Sequence, residues 1–149
     1  MNDKKKIIQQ YLDFLSNKSF FQWSFWCTIT TQKKLTVKSA HRIVNRFSAI
    51  FIKFLKGKFI LDDKTCLMFY VVEPFEHKEG YHIHLLLHCP KNIKFPLLRS
   101  FWKQAIGNSL VKNSCKISSF HEEAHIYDYI ASKVILKRVE HDFIYVGLF

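Results

Sequence analysis

The sequence predicts an α+β fold in which helices pack on a central antiparallel β-sheet. Strand-like and helix-like segments alternate along the chain, and two strand-like segments, 65–75 and 82–88, are joined by a loop of hairpin length. The 149 residues are 48% hydrophobic, with only four Gly, three Pro and no low-complexity linker. We therefore expect residues 1–149 to form a single domain with a substantial core.

The first half of the chain predicts two helices with a strand between them. Residues 4–15 carry apolar side chains at helical spacing, which indicates a short amphipathic helix. Residues 20–31, FFQWSFWCTITT, are rich in aromatic and β-branched residues and predict a strand. A helix is expected from about residue 39 to residue 56, where apolar residues fall on one face and Gly57 follows as a stop signal.

The segments after the central hairpin add two helices and two strands. Residues 97–111 predict a helix, and residues 115–118 an optional short strand. Ser119 opens the capping-box pattern S-F-H-E, which announces a helix at about 120–139, and the final HDFIYVGLF predicts a last strand. This order suits helices layered on an antiparallel sheet.

The charge balance of the chain favours a polyanionic partner. The formal net charge is +11, from 23 Lys and Arg against 12 Asp and Glu. Nucleic acid is the leading candidate because each neutralised phosphate releases bound counterions, and an anionic membrane surface is the alternative. The chain also contains fifteen Phe, six Tyr and three Trp. Exposed aromatic rings on a basic surface can stack on the bases of single strands, which adds to the attraction between charges.

The cysteines and the N-terminus indicate a soluble, intracellular protein. The four cysteines are widely spaced with no C-x-x-C pair, so we expect reduced thiols rather than a zinc ribbon or a disulfide framework. The opening MNDKKKIIQQYLDFL mixes polar residues into its apolar ones, unlike a secretory signal. No apolar run approaches the roughly 18 residues that a membrane span requires. A cytoplasmic location is the expectation.

The strand HIHLLLH is the first candidate for chemistry. A β-strand directs alternate side chains to opposite faces, so His82 and His84 point the same way, and a hairpin could bring Glu73 opposite them. Two nitrogens and one oxygen suit Mn²⁺ or Mg²⁺ acting on phosphate. Exposed histidines are also common on half-buried sheets, and we expect His77 and His88 to be solvated or outside the ligand set.

The helix expected at 120–139 carries the second candidate. Tyr129 and Lys133 lie one turn apart on one face, where an ammonium can stabilise a phenolate nucleophile. Tyr127 falls on the apolar face and is expected in the core. An ordinary surface tyrosine beside a surface lysine is the alternative interpretation. Thr28 and Thr30, on one face of the first strand, are ordinary strand composition.

Three motifs together resemble the HUH endonuclease superfamily, which includes rolling-circle replication initiators, relaxases and single-strand transposases. FWCTITT looks like the first initiator motif, EPFEHKEGYHIHLLL like the second and YIASK like the third. They span residues 25–134. The second motif is the specific one, since EPF followed at this distance by GYHIHLLL is close to the form of small plasmid and viral initiators.

The resemblance implies an RRM-like or ferredoxin-like antiparallel sheet and a metal-dependent nicking and joining of single-stranded DNA. It implies that His82, His84 and Glu73 hold Mn²⁺ or Mg²⁺, that Tyr129 is the nucleophile and that Lys133 is the supporting cation. The products would be a 5′-phosphotyrosyl adduct and a free 3′-hydroxyl. Tyr127 is the reserve nucleophile.

The resemblance also implies a biological setting. A single-tyrosine initiator (Rep) of this size has no room for a helicase domain, so a host helicase and polymerase would complete rolling-circle replication of a plasmid or virus. The expected partner is single-stranded DNA at a replication origin, as in a hairpin, with no membrane and no small-molecule cofactor. A single-strand transposase and a non-catalytic single-strand-binding module remain the alternatives.

Overall fold

The described part of the chain is an α+β structure of five strands and two continuous helices. The computed structural model describes residues 6, 10, 13, 23–31, 34–60, 65–107, 115–119 and 140–146. Its elements in chain order are β1 (Phe25–Ile29), α1 (Val37–Lys58), β2 (Cys66–Pro74), β3 (Tyr81–His88), α2 (Phe95–Ile106), β4 (Cys115–Ser119) and β5 (Glu140–Val146).

The five strands form one sheet in the order β4-β1-β3-β2-β5, and every neighbouring pair is antiparallel. The predicted α+β class and the predicted pairing of β2 with β3 are therefore confirmed. The first four strands and the two helices follow a strand–helix–strand–strand–helix–strand order that is compatible with a ferredoxin-like arrangement. β5 extends the sheet beyond β2.

Helix α1 begins earlier and ends later than the sequence predicted. Thr36 is its N-cap, and the Thr36 side chain accepts a hydrogen bond from the Ser39 backbone N–H while the Ser39 hydroxyl accepts one from the Thr36 N–H. The expectation that Gly57 stops the helix is wrong. Gly57 does not adopt a positive φ, and the helix continues to Lys58, where the Phe59 N–H bonds to the Leu55 carbonyl at 2.8 Å.

Helix α2 is shorter than predicted. Pro96 lies in its first turn, where a missing N–H costs nothing. It ends at Ile106 because Gly107 takes a left-handed φ of 82° and its N–H bonds to the Lys103 carbonyl at 2.9 Å. A glycine therefore ends α2 at Gly107, whereas α1 continues through Gly57.

Both helices pack on one face of the sheet, which we call the helix-side face. The apolar residues of β3 on this face are Ile83, Leu85 and Leu87, all completely buried. Phe47 of α1 and Trp102 of α2 stack at the centre of the helix layer with ring centroids 3.8 Å apart. The strand alternation placed these three residues on the core face correctly, and Leu86 on the opposite face is buried as well.

Several predicted segments lie wholly or partly outside the described residues. Lys6, Gln10 and Asp13 of the opening segment are helical and exposed, but the rest of that segment and the helix predicted at 120–139 are not described. All four cysteines are buried free thiols. Among the described residues no helix combines the length and the apolar character that crossing a bilayer demands.

Candidate metal centre

The β2–β3 hairpin aligns the predicted ligands. The Phe75 N–H donates to the Gly80 carbonyl at 3.1 Å and closes the loop, and Gly80 takes a φ of 105° that residues with a Cβ rarely adopt. In the resulting register Glu73 lies directly opposite His82. Directly opposite residues share a face, and His84 lies on that face two positions further along β3.

Glu73, His82 and His84 converge on the face of the sheet opposite the helices. Oε2 of Glu73 lies 3.1 Å from Nε2 of His84 and 3.3 Å from Nε2 of His82. One ligand atom from each residue lies within 4.8 Å of the other two. The three side chains are only 7%, 13% and 11% exposed, in the same order as the residues above. A carboxylate and two imidazoles thus meet where little water reaches them.

Two residues of β1 orient the His84 ring. The register pairs Thr28 with His84, and the Thr28 hydroxyl lies 3.3 Å from Nδ1 of His84. Trp26 stacks on the same imidazole, with centroids 5.2 Å apart and an interplanar angle of 12°. When the hydroxyl accepts a hydrogen bond from Nδ1–H, Nε2 presents its lone pair towards Glu73, which is the tautomer that a metal ligand needs.

His82 is held by aromatic packing. Its ring lies 4.7 Å from the Phe75 ring and 4.6 Å from the His84 ring, nearly perpendicular to the latter. The Lys78 ammonium lies 4.2 Å above the centre of the Phe75 ring. Nδ1 of His82 is buried and makes no hydrogen bond with any described residue. Ring packing and the Glu73 carboxylate at Nε2 therefore set the position of the His82 imidazole, while the His84 ring has an additional polar contact with Thr28.

The donor set and its spacing fit a divalent ion. Two ligands at right angles, each about 2.1 Å from a metal, lie about 3 Å apart, and the Oε2–Nε2 distances here are 3.1 and 3.3 Å. One carboxylate with two imidazoles suits Mn²⁺ and related ions and leaves coordination positions for further ligands. Glu73, His82 and His84 are thus close enough to bind a metal ion.

A cation lies in the same row of the sheet. Thr28 pairs with His84 on one side and with Lys116 of β4 on the other, so all three belong to one row across the strands. Lys116 is exposed. Its ammonium is placed to meet an anion that approaches the Glu73, His82 and His84 group along the sheet.

The structure brings together the three predicted ligands but describes only part of the predicted site. His77 is 94% exposed in the hairpin loop, and His88 lies at the far end of β3, so neither joins the ligand group. Tyr129, Lys133 and Tyr127 lie outside the described residues. Their assigned roles stay predictions.

Three neighbours of the site were missed by sequence reasoning. Thr28 was dismissed as ordinary strand composition, and Trp26 and Lys116 were not singled out. Their contribution depends on β1 lying between β3 and β4, a sheet order that no local pattern encodes. Two signals for Trp26 and Thr28 were available, their alternation on one face of the strand and their place in FWCTITT, the segment that looks like the first initiator motif.

Comparison with protein-family models, with curated proteins and with solved structures finds no significant match for this chain.

Proposed function

We propose that this chain is an HUH-type, divalent-metal-dependent endonuclease and strand transferase that nicks and joins single-stranded DNA to start rolling-circle replication of a small plasmid or virus. The observation that carries the proposal is the convergence of the Glu73 carboxylate with Nε2 of His82 and His84. The sequence motifs around it and the net charge of +11 support a phosphate-bearing substrate.

The residues of the site have separable roles in this proposal. Glu73, His82 and His84 would hold Mn²⁺ or Mg²⁺, and Thr28 would favour the His84 tautomer whose Nε2 lone pair is free for a metal. The chemistry such an ion supplies is polarisation of the scissile phosphate and neutralisation of charge on its oxygens. Lys116 attracts the DNA backbone beside the ligands.

The covalent step is a transesterification. The phenol oxygen of Tyr129 bonds to phosphorus, the bond from phosphorus to the 3′ oxygen breaks, and the leaving oxygen ends as a 3′-hydroxyl after taking up a proton equivalent to the one the phenol lost. Lys133 stabilises the phenolate. No oxidant or reductant is needed, and the reverse reaction rejoins the strand.

Metal binding is tested first, by thermal unfolding with and without Mn²⁺. An ion at 100 times its dissociation constant adds about 2.7 kcal/mol of stability, which raises the melting temperature of a chain of this size by about 5–10 °C. Glu73→Gln should lose most of this increase. Glu76→Gln, in the exposed hairpin loop, is the matched control and should keep it. Equal increases in both variants would rule out the assigned site.

Nicking is tested with single-stranded oligonucleotides tiled across the DNA that flanks the chain's own gene. Incubation with Mn²⁺ should yield a covalent protein–DNA adduct on a denaturing gel, and EDTA should abolish it. Tyr129→Phe should remove the adduct and Tyr127→Phe should retain it. The opposite result would identify Tyr127 as the nucleophile. An adduct in both variants would show that neither tyrosine alone is the required nucleophile.

The flanking DNA separates replication from transposition. An adduct that maps to a hairpin beside the gene supports a replication origin. An adduct that maps to paired palindromes at the two ends of a mobile element supports a single-strand transposase instead.

A non-catalytic single-strand-binding module is the second candidate, and the aromatic rings beside the site favour it. Trp26 and Phe75 are partly exposed on or beside the site face, where bases could stack. This candidate predicts salt-sensitive binding of single strands that is indifferent to EDTA and to His82→Ala. Adduct formation that requires Mn²⁺ would decide against it.

A further inference from the structure

Helix α1 carries a one-sided array of cations on its outward face. Six lysine and arginine residues and no aspartate or glutamate occur between Val37 and Lys58. Lys38, Arg42 and Arg46 follow one another at intervals of four residues, so they lie along one line of the helix surface, and all three are exposed. We call these three residues the basic stripe. None of them forms an ion pair with a residue that the structure describes.

The basic stripe and the metal centre lie on opposite sides of the molecule. Ala40, Val44 and Phe47 of α1 are buried against the helix-side face of the sheet, and the stripe lies about half a turn away from them. The Glu73, His82 and His84 group lies on the other face of the sheet. A helix and a sheet, each roughly 10 Å thick, therefore separate the stripe from the ligands. A single strand of DNA bound at the metal centre would therefore not contact the basic stripe.

The orientation of the stripe is fixed by a contact between α1 and the sheet. Nδ1 of His41 lies 2.6 Å from the phenol oxygen of Tyr70, a buried residue of β2, and the two rings pack edge to face. His41 also lies beside Lys38, Arg42 and Arg46 on an open part of the α1 surface. The contact between His41 and Tyr70 thus holds the surface that carries these cations in a fixed orientation.

The positions of these cations destabilise α1 as an isolated helix. This argues that the basic stripe is not there to stabilise the fold. Lys38 lies in the first turn, where the helix dipole repels a cation. The pairs Lys38–Arg42 and Arg42–Arg46 place like charges at i,i+4, where they repel one another. A ligand with regularly spaced negative charges would relieve both effects. The phosphate backbone of a nucleic acid has that property.

We propose that the basic stripe of α1 binds the backbone of double-stranded DNA, as a second nucleic-acid surface distinct from the metal centre. Lys38 and Arg46 are about 12 Å apart along the helix axis, a distance comparable to the width of the major groove of B-DNA, about 12 Å. Binding of single strands relies on exposed aromatic rings interleaved with cations. The stripe has no Phe, Tyr or Trp beside it, since its other neighbours on this surface are His41, Asn45 and Ala49, and the His41 ring is packed against Tyr70. Contacts of this kind position a duplex without reading its sequence.

The test is fluorescence anisotropy with a 24-bp duplex of arbitrary sequence and with one of its strands, in EDTA, between 50 and 200 mM KCl. Variant R42Q/R46Q is compared with K91Q/K94Q, which removes the same charge from exposed residues before α2. R42Q/R46Q should lower the slope of log affinity against log salt by about 2 and weaken duplex binding at least tenfold at 150 mM KCl. K91Q/K94Q should change the affinity less than threefold. Removing like charges should leave the melting temperature of R42Q/R46Q unchanged or higher.

Three outcomes would overturn the proposal. The first is an equal loss of duplex affinity in R42Q/R46Q and K91Q/K94Q. The second is an equal loss of single-strand and duplex affinity in R42Q/R46Q. The third is that the wild-type protein binds anionic vesicles but not the duplex. The proposal is independent of nicking. Glu73→Gln should retain full duplex binding, and R42Q/R46Q should retain adduct formation on short single strands, so failure of one proposal does not imply failure of the other.

Discussion

Neighbouring residues of β3 lie in two chemically opposite environments. Leu85 is completely buried in the apolar layer under the helices, whereas His84 points to the other face, where it meets Glu73 and remains only 11% exposed. Both are nearly excluded from water. Burying a leucine contributes about 1.5–3 kcal/mol, whereas a buried polar group that has partners contributes only about 0.5–1.5 kcal/mol per hydrogen bond. The helix-side face therefore contributes more to the stability of the fold, and the hairpin end of the other face holds the three candidate ligands.

Leu85→Ala and His84→Ala should separate these two roles most clearly. Leu85→Ala leaves a cavity in the core and should lower the free energy of unfolding by about 2–5 kcal/mol. His84→Ala should cost less than about 2 kcal/mol, because Glu73 keeps His82 as a partner. Urea unfolding in EDTA measures both. Equal losses would mean that the site face supports the fold as strongly as the core does.

The second comparison is between two glycines, Gly80 in the hairpin loop and Gly57 in α1. At Gly80 an alanine would have to adopt a φ of 105°, with its Cβ 3.0 Å from the Lys34 side chain, so Gly80→Ala should cost about 1–3 kcal/mol. At Gly57 a Cβ meets nothing within 4 Å inside a regular helix, so Gly57→Ala should gain about 0.5–1 kcal/mol. Thermal unfolding provides the comparison. Gly80→Ala should also weaken Mn²⁺ binding, because the hairpin sets the Glu73–His82 register.

Thr28→Val tests the role of β1 in positioning His84. The valine keeps the shape and removes the hydroxyl, so stability should fall by only about 0.5–1.5 kcal/mol. Mn²⁺ affinity should fall about 10–100-fold, because the Nδ1 partner no longer selects the tautomer. Thr30→Val, at the residue that follows β1, is the matched control and should leave the affinity unchanged. A loss of stability without a loss of affinity would make Thr28 merely structural.

The buried thiols probe the helix-side face without a substitution. Burial raises the pKa of Cys89 to about 12 and that of Cys115 to about 11. The native chain should therefore react slowly with iodoacetamide at pH 8, and urea should restore the rate of an exposed thiol. Because the unfolded chain releases these protons near pH 8.5, the free energy of unfolding should fall as the pH rises above that value. Fast native labelling would contradict a closed core.

The sequence predicted what depends on neighbouring residues and missed what depends on distant ones. Alternation along β3 and the hairpin loop were sufficient to place Glu73 opposite His82. The end of α1 was mistaken, because whether a glycine terminates a helix depends on the φ it adopts, and Gly57 stays helical where Gly107 does not. The contact of Thr28 with His84 was not accessible, because it needs the order in which β1 joins the sheet.

The three candidate ligands all lie within residues 73–84, on one closed hairpin. Closing so short a loop costs little chain entropy compared with pairing distant strands, so the donor set can assemble while the rest of the sheet is still unpaired. An ion bound by these residues would link β2 to β3 and so stabilise the register of the hairpin. The Thr28 and Trp26 contacts to His84 form only when β1 joins the sheet, so assembly of the sheet completes a ligand group that the hairpin begins.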